Sequence, residues 1–267
     1  MPSLEARGVE LSWSERGEGA PVLMIHETAT GGAVWEPVAK RVSERARAIS
    51  YDRRGWGAST APEGYRRTTI EEQSEDAVVL VESLRAAPVV LCGAGIGAMI
   101  ALDLVLRRPE LVAAALLIEP PIFSLLSEAT GALSDDRLAL QDAVHDRGAD
   151  GAIAAYLSGR LTALGAGTDR LPTAVTVEAR ARPVSLFAEL GAGSGWSAPL
   201  LRFADAQRPT LIVTAESTPP LLREAAKALA ARLARTESRE VESTRSAPHI
   251  GAPDRVAELA LELCEKS

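Results

Sequence analysis

The sequence predicts an α/β fold built on an open, mostly parallel sheet. Apolar runs of strand length recur at residues 21–25 (PVLMI), 46–52 (ARAISYD), 88–92 (PVVLC), 113–119 (AAALLIE) and 209–215 (PTLIVTA). Each is bounded by Gly, Pro or charged residues, as strands buried on both faces are. Helical patterns alternate with them at 70–84, 96–108, 221–234 and 254–265, and that alternation describes a sheet covered by helices on both sides. The 267 residues, 46% of them hydrophobic, suffice for one full core.

In chain order, residues 6–17 (ARGVELSWSERG) read as an antiparallel hairpin at one edge of the sheet. From about residue 122 the strand–helix rhythm stops. Helical pieces follow (SDDRLALQDAVHDRG, DGAIAAYLSGRL), then a Gly-rich turn (LGAGSGW), with no buried strand. The expected organisation is a core of residues 1–121 and 205–267 with a helical cap insertion at 122–204, over the sheet's carboxyl edge where open α/β folds bind ligands.

Charge and composition exclude several functions. Lys and Arg total 29 against 36 Asp and Glu, a net charge of −7, which disfavours nucleic acid and anionic membrane surfaces as partners. No stretch approaches the length of a membrane span, and the first residues lack a basic-then-apolar leader, so a cytoplasmic protein is expected. Two cysteines, Cys92 and Cys264, and three histidines without ligand spacing give no disulfide framework and no metal site.

The stretch VLCGAGIGAMIAL, from residue 90, has the outline of a G-x-S-x-G turn between a strand and a small-residue helix, with Gly95 at the serine position. Around it stand PVLMIHETATGGAVW, YDRRGWGAST, LLIEPP, PTLIVTAESTPP and SAPHIGAPDRVAELALEL. In this order the segments resemble the α/β-hydrolase superfamily from end to end. The resemblance implies an α/β-hydrolase fold and hydrolysis of an ester, amide or related bond without a cofactor.

Against that pattern the chain departs at the catalytic positions. Gly95 carries no hydroxyl, so no acyl-enzyme can form there. Aligning Ala247-Pro248-His249 with relatives puts Ser246 at the histidine's place and His249 three residues beyond. Ser217 falls at the usual acid position beside Glu216, and Glu27 replaces the glycine that follows the early histidine in relatives. Glycine tolerates the strained elbow conformation at little cost, which fits release of the hydroxyl with the scaffold kept.

The groups left for chemistry are Glu119, Glu27 and His249, the candidate acid/base residues. Glu119 closes its strand at the sheet's carboxyl edge; if Glu27 shares its pocket, repulsion raises one of the two pKa values. The backbone at Gly95 and Ile96, opening a helix, forms with Glu27 and Thr28 an anion-friendly corner. His26, Thr28, Trp35, Gly95, Ile96 and Ser246 are the candidate ligand-binding residues. Trp35 and Trp56, with Phe123, Phe187 and Trp196, either line an aromatic pocket or pack the core. Asp52, Arg53 and Arg54 read as a structural turn.

Three readings of function follow. The first is a small-molecule pocket used for cofactor-free, non-serine chemistry or for binding an anionic or carbonyl-bearing ligand. The second is a hydrolase whose water is activated by Glu119, Glu27 or His249. The third is a non-catalytic scaffold.

Overall fold

The computed structural model describes residues 1–158, 161–164, 173–196, 202–243 and 247–266. Its strands are β1 (Ser3–Ala6), β2 (Val9–Arg16), β3 (Pro21–Ile25), β4 (Arg47–Tyr51), β5 (Val89–Ala94), β6 (Val112–Ile118), β7 (Thr210–Ala215) and β8 (Thr236–Val241). They form one sheet in the order β1-β2-β4-β3-β5-β6-β7-β8. The first two are antiparallel to their neighbours and the other six run parallel, so the family fold expected from the sequence is the one observed. Among the described residues no helix is long and apolar enough to cross a membrane.

Helices α1 (Glu36–Val42), α2 (Ile70–Ser83) and α3 (Ile96–Arg107) precede β6. All six residues of β5 are buried, and the apolar α3 packs against it as closely as backbone allows. A Cβ at Gly93 would lie 2.2 Å from the Gly97 carbonyl oxygen, and one at Gly97 would lie 2.2 Å from that of Ile25. The two glycines flanking position 95 are therefore demanded by helix–strand contact.

Between β6 and β7 the described residues form helices only: α4 (Ala129–Leu157), α5 (Thr173–Ala181), α6 (Pro183–Leu190) and α7 (Ala192–Gly195). The two helical pieces read in this region are observed as two helices that meet at Gly148 (φ 61°, ψ −147°) within α4, the second ending at Leu157. The Gly-rich stretch expected to be a turn winds into the short α7. Helices α8 (Pro220–Ala230), α9 (Pro248–Gly251) and α10 (Pro253–Lys266) complete the chain. Strand β8, TESREV, escaped the sequence reading because its charged residues point outward on both faces at the sheet's edge; its pairing with β7 makes it a strand.

The turn after β4 joins these layers. Asp52 accepts from the Gly32 amide at 2.6 Å and the Ala58 amide at 2.8 Å. Arg54 donates to both carboxylate oxygens of Asp76 at 2.6 and 2.7 Å, with both side chains 1% exposed. Arg53, also buried, reaches from this turn to His26 and Glu27 at the end of β3 and to Glu189 on α6. Its amide donates to His26 Nε2 at 2.9 Å, while His26 Nδ1 donates to the Glu27 carbonyl at 2.8 Å. His26 is thus the neutral Nδ1–H tautomer, and burial together with the Arg53 charge depresses its pKa well below 6.5.

Two predictions follow from these contacts. Replacing one partner of a buried ion pair strands the other, at a cost of about 3–5 kcal/mol, so Asp76→Ala lowers the unfolding free energy by that amount in urea titration. Between its depressed folded pKa and the ordinary value near 6.5, His26 binds a proton only in the unfolded chain. Stability therefore falls as pH drops below that value, by at most about 1.4 kcal/mol per pH unit from this residue. His26→Asn removes that component, and equal slopes in the two proteins between pH 7 and 5, approximately the range His titration spans, would rule it out.

Candidate active site

Three consecutive strands deliver their carboxyl ends to one place. Ile25 of β3 is level with Gly93 of β5, and Gly93 with Leu117 of β6. Two residues beyond each stand Glu27, Gly95 and Glu119, side by side at the sheet's upper edge. Residue 249, beyond β8, returns to the same edge through α9.

Gly95 has φ 53° and ψ −121°, a conformation that costs roughly 1–3 kcal/mol in a residue with a side chain. Its amide donates to the Ile118 carbonyl at 3.0 Å and its carbonyl accepts from Ala98 at 3.0 Å, so the turn is fixed from both sides. Ile96, buried, opens α3, where the first amides have no intrahelical acceptor and the helix dipole favours negative charge. The tight turn at residue 95 leads directly into α3, and its apex carries no side chain.

The space above Gly95 belongs to Glu27. A Cβ at residue 95 would lie 3.0 Å from Glu27 Cβ and 3.7 Å from its Oε2. The other oxygen, Oε1, is 3.4 Å from His249 Nε2. Of the two side chains Glu27 is 25% exposed and His249 0%, so solvent meets the carboxylate first. Among the described residues neither ring nitrogen of His249 has a hydrogen-bond partner. A buried polar atom left so costs about 1–3 kcal/mol, and groups of this kind in native proteins call for a functional or structural explanation. Although His249 lies three residues past the position where the family pattern puts its histidine, its ring points into the site.

Glu119 stands behind this pair. It has φ 47°, a strained value for a residue with a side chain. Its Oε2 accepts from the Ala247 amide at 2.8 Å, and its Oε1 accepts from the Thr218 hydroxyl, which itself accepts from the Ala215 amide at 2.7 Å. Burial raises its pKa against these two hydrogen bonds, and the Glu27 charge adds to the rise. With 6% exposure and both oxygens engaged, Glu119 anchors the loop that carries His249. Ser217, at the expected acid position, donates to the Ser243 carbonyl at 3.1 Å.

The other expected residues separate into neighbours and supports. Both nitrogens of His26 are engaged by backbone, which corrects its reading as a ligand-binding residue: it braces the turn. Trp35 is fully buried and packs its ring on His249, centroids 4.7 Å apart, so it sets the imidazole's position from below. Thr28 is half-buried in the turn after Glu27, and Ser246 lies outside the described residues. The aromatic side chains do not gather into one pocket: Trp56 donates to Glu189 at 2.8 Å and Trp196 to Asp103 at 3.1 Å. Tyr156 of α4, buried and close enough for the Glu27 charge to add to the burial-driven rise of its phenol pKa, is the site neighbour that the sequence left unmarked. Among the described residues no cluster of His, Cys, Asp and Glu could hold a metal ion.

Comparison with known proteins agrees with this architecture. A provisionally named non-heme bromoperoxidase of Mycobacterium tuberculosis is 34% identical over 111 residues, only 41% of each chain. A 2-(acetamidomethylene)succinate hydrolase of Mesorhizobium japonicum is 29% identical over 231 residues, covering 84% of this chain and 80% of that one. Among solved structures, a thermophilic esterase of Thermogutta terrifontis superposes with a TM-score of 0.78 over 100% of this chain and 99% of that one, at 18% identity. The profile described as the alpha/beta hydrolase family matches residues 22–259, nearly the whole length over which the strands and the site were traced, and the chain is a member of that family.

Proposed function

We propose that this protein hydrolyses a small carbonyl-bearing substrate with water activated by Glu27 and His249, in place of a serine nucleophile. The observation that carries this reading is the Glu27 carboxylate standing over Gly95 with Oε1 3.4 Å from Nε2 of His249, which has no hydrogen-bond partner among the described residues. A carboxylate backed by a buried imidazole is a general base within reach of solvent.

In the reaction, Glu27 takes a proton from water as the oxygen attacks the carbonyl carbon. The developing oxyanion lies toward the amides that open α3, where the helix N-terminus favours negative charge. Collapse of the tetrahedral intermediate expels the alcohol or amine, which takes the proton back from the Glu27–His249 pair. One water is consumed and the pair returns to its starting state. The relatives named as hydrolase and esterase support an acyl-type substrate, and the negative charge of Glu27 favours one that is neutral at the reacting carbon.

The test is turnover of a panel of small esters, lactones and amides in isotopically labelled water. Label enters the acid product if water is the nucleophile; an unlabelled product would point to proton abstraction at carbon by the same base. Glu27→Gln is expected to reduce turnover by on the order of 10²–10⁴-fold, and an unchanged rate would overturn the assignment. A fluorophosphonate serine probe should leave the protein unmodified, whereas rapid labelling of any serine would replace this reading with a relocated nucleophile. Gly95→Ser is expected to lower stability by about 1–3 kcal/mol from its backbone angles, without a gain in turnover, because its Cβ meets Glu27.

A further inference from the structure

The structure assigns to Glu189, a residue of the helical segment between β6 and β7, the role of a positioning residue for the Glu27–His249 pair, exerted through the guanidinium of Arg53. Arg53 has five N–H donors, and every one is engaged. Nε donates to the His26 carbonyl at 2.9 Å, and one terminal nitrogen donates to the Glu27 carbonyl at 3.0 Å and to Glu189 Oε2 at 3.2 Å. The other donates to Glu189 Oε1 and to Gln73 Oε1. Glu189 Oε1 also accepts from Trp56 at 2.8 Å and from Gln73 Nε2 at 3.3 Å. With Arg53 1% and Glu189 0% exposed, one carboxylate among the described residues supplies the negative charge in contact with a dry guanidinium.

That guanidinium holds the two consecutive carbonyls, of His26 and Glu27, from which the Glu27 side chain is aimed. A buried cation left without its counter-ion turns toward water, and in doing so it releases both carbonyls. Seating of α6 and placement of the Glu27 carboxylate are thereby one event. The same helical segment is tied to the neighbouring loop by contacts that do not touch Arg53: Glu178 accepts from the Gly57 amide at 2.8 Å, Arg182 donates to the Gly57 carbonyl at 2.5 Å, and Ser185 donates to that of Gly55 at 2.6 Å. These separate the positioning role from simple attachment.

This inference rests on the acid/base reading only for its effect on turnover; its structural effect is read independently. The experiment compares the full chain with Glu189→Gln and Glu178→Gln. It records the ring-proton NMR signals of His249, which the stacked Trp35 displaces, alongside kcat and KM on a substrate found with the panel. Expected for Glu189→Gln are shifted His249 signals and a loss in kcat of about 10²-fold with KM changed by less than about twofold, the signature of a misplaced catalytic group. Glu178→Gln leaves both readouts as in the parent protein. Equal behaviour of the two variants, or unmoved His249 signals in folded Glu189→Gln, overturns the proposal. Should Glu189→Gln fail to fold, Glu189→Asp, which keeps the charge on a shorter arm, is read by the same criteria. A parent protein without turnover would remove the acid/base reading, while the His249 signals still decide the coupling.

Discussion

A guanidinium in a dry interior must have every donor met, and the placement of Arg53 organises much of this molecule. The turn after β4 delivers it under the end of β3, where it fixes the tautomer of His26 through its amide and the carbonyls of His26 and Glu27 through its side chain. Its charge is answered from the helical segment, 136 residues away in sequence. The sheet, the site turn and the covering helices share this one ion. The neighbouring Arg54–Asp76 pair and the Asp52 amide contacts hold the turn in the conformation that lets Arg53 point inward.

The site is an exchange of volume between two positions. A side chain at residue 95 and one at residue 27 would compete for the same space, and here the elbow has none while the β3 turn has a carboxylate. The conformational tension at Gly95 is thereby absorbed by glycine, and strain appears instead at Glu119 and Ala247, both with positive φ and joined by a hydrogen bond. These two residues aim the loop that brings His249 against Trp35. The His249 imidazole lies at the strand ends, 3.4 Å from the Glu27 carboxylate.

The core strands and long helices were legible in the sequence because burial on both faces demands unbroken apolar runs and burial on one face demands helical spacing. Strand β8 was illegible for the converse reason: an edge strand covered by solvent needs neither pattern, and TESREV is a strand through its neighbour. The elbow, Glu27 and His249 could be marked from spacing and chemistry. That the Glu27 carboxylate fills the volume over Gly95 depends on side-chain rotamers and on the depth of the turn, which no local pattern encodes. Tyr156 and Glu189 gave no signal because each reaches the site from a segment whose helices carry no motif. The bracing role of His26 was hidden for a related reason: its tautomer is set by a backbone amide from Arg53, a contact between two loops.

The outward-facing Glu237, Arg239 and Glu240 of β8 have a consequence for how this molecule meets others of its kind. A parallel sheet ends in a row of unpaired peptide groups, an invitation to any extended chain. Here that border is lined with alternating opposite charges, so a second sheet laid alongside would have to strip water from them before gaining a single backbone contact. At this border of the sheet, pairing with another strand carries that desolvation cost.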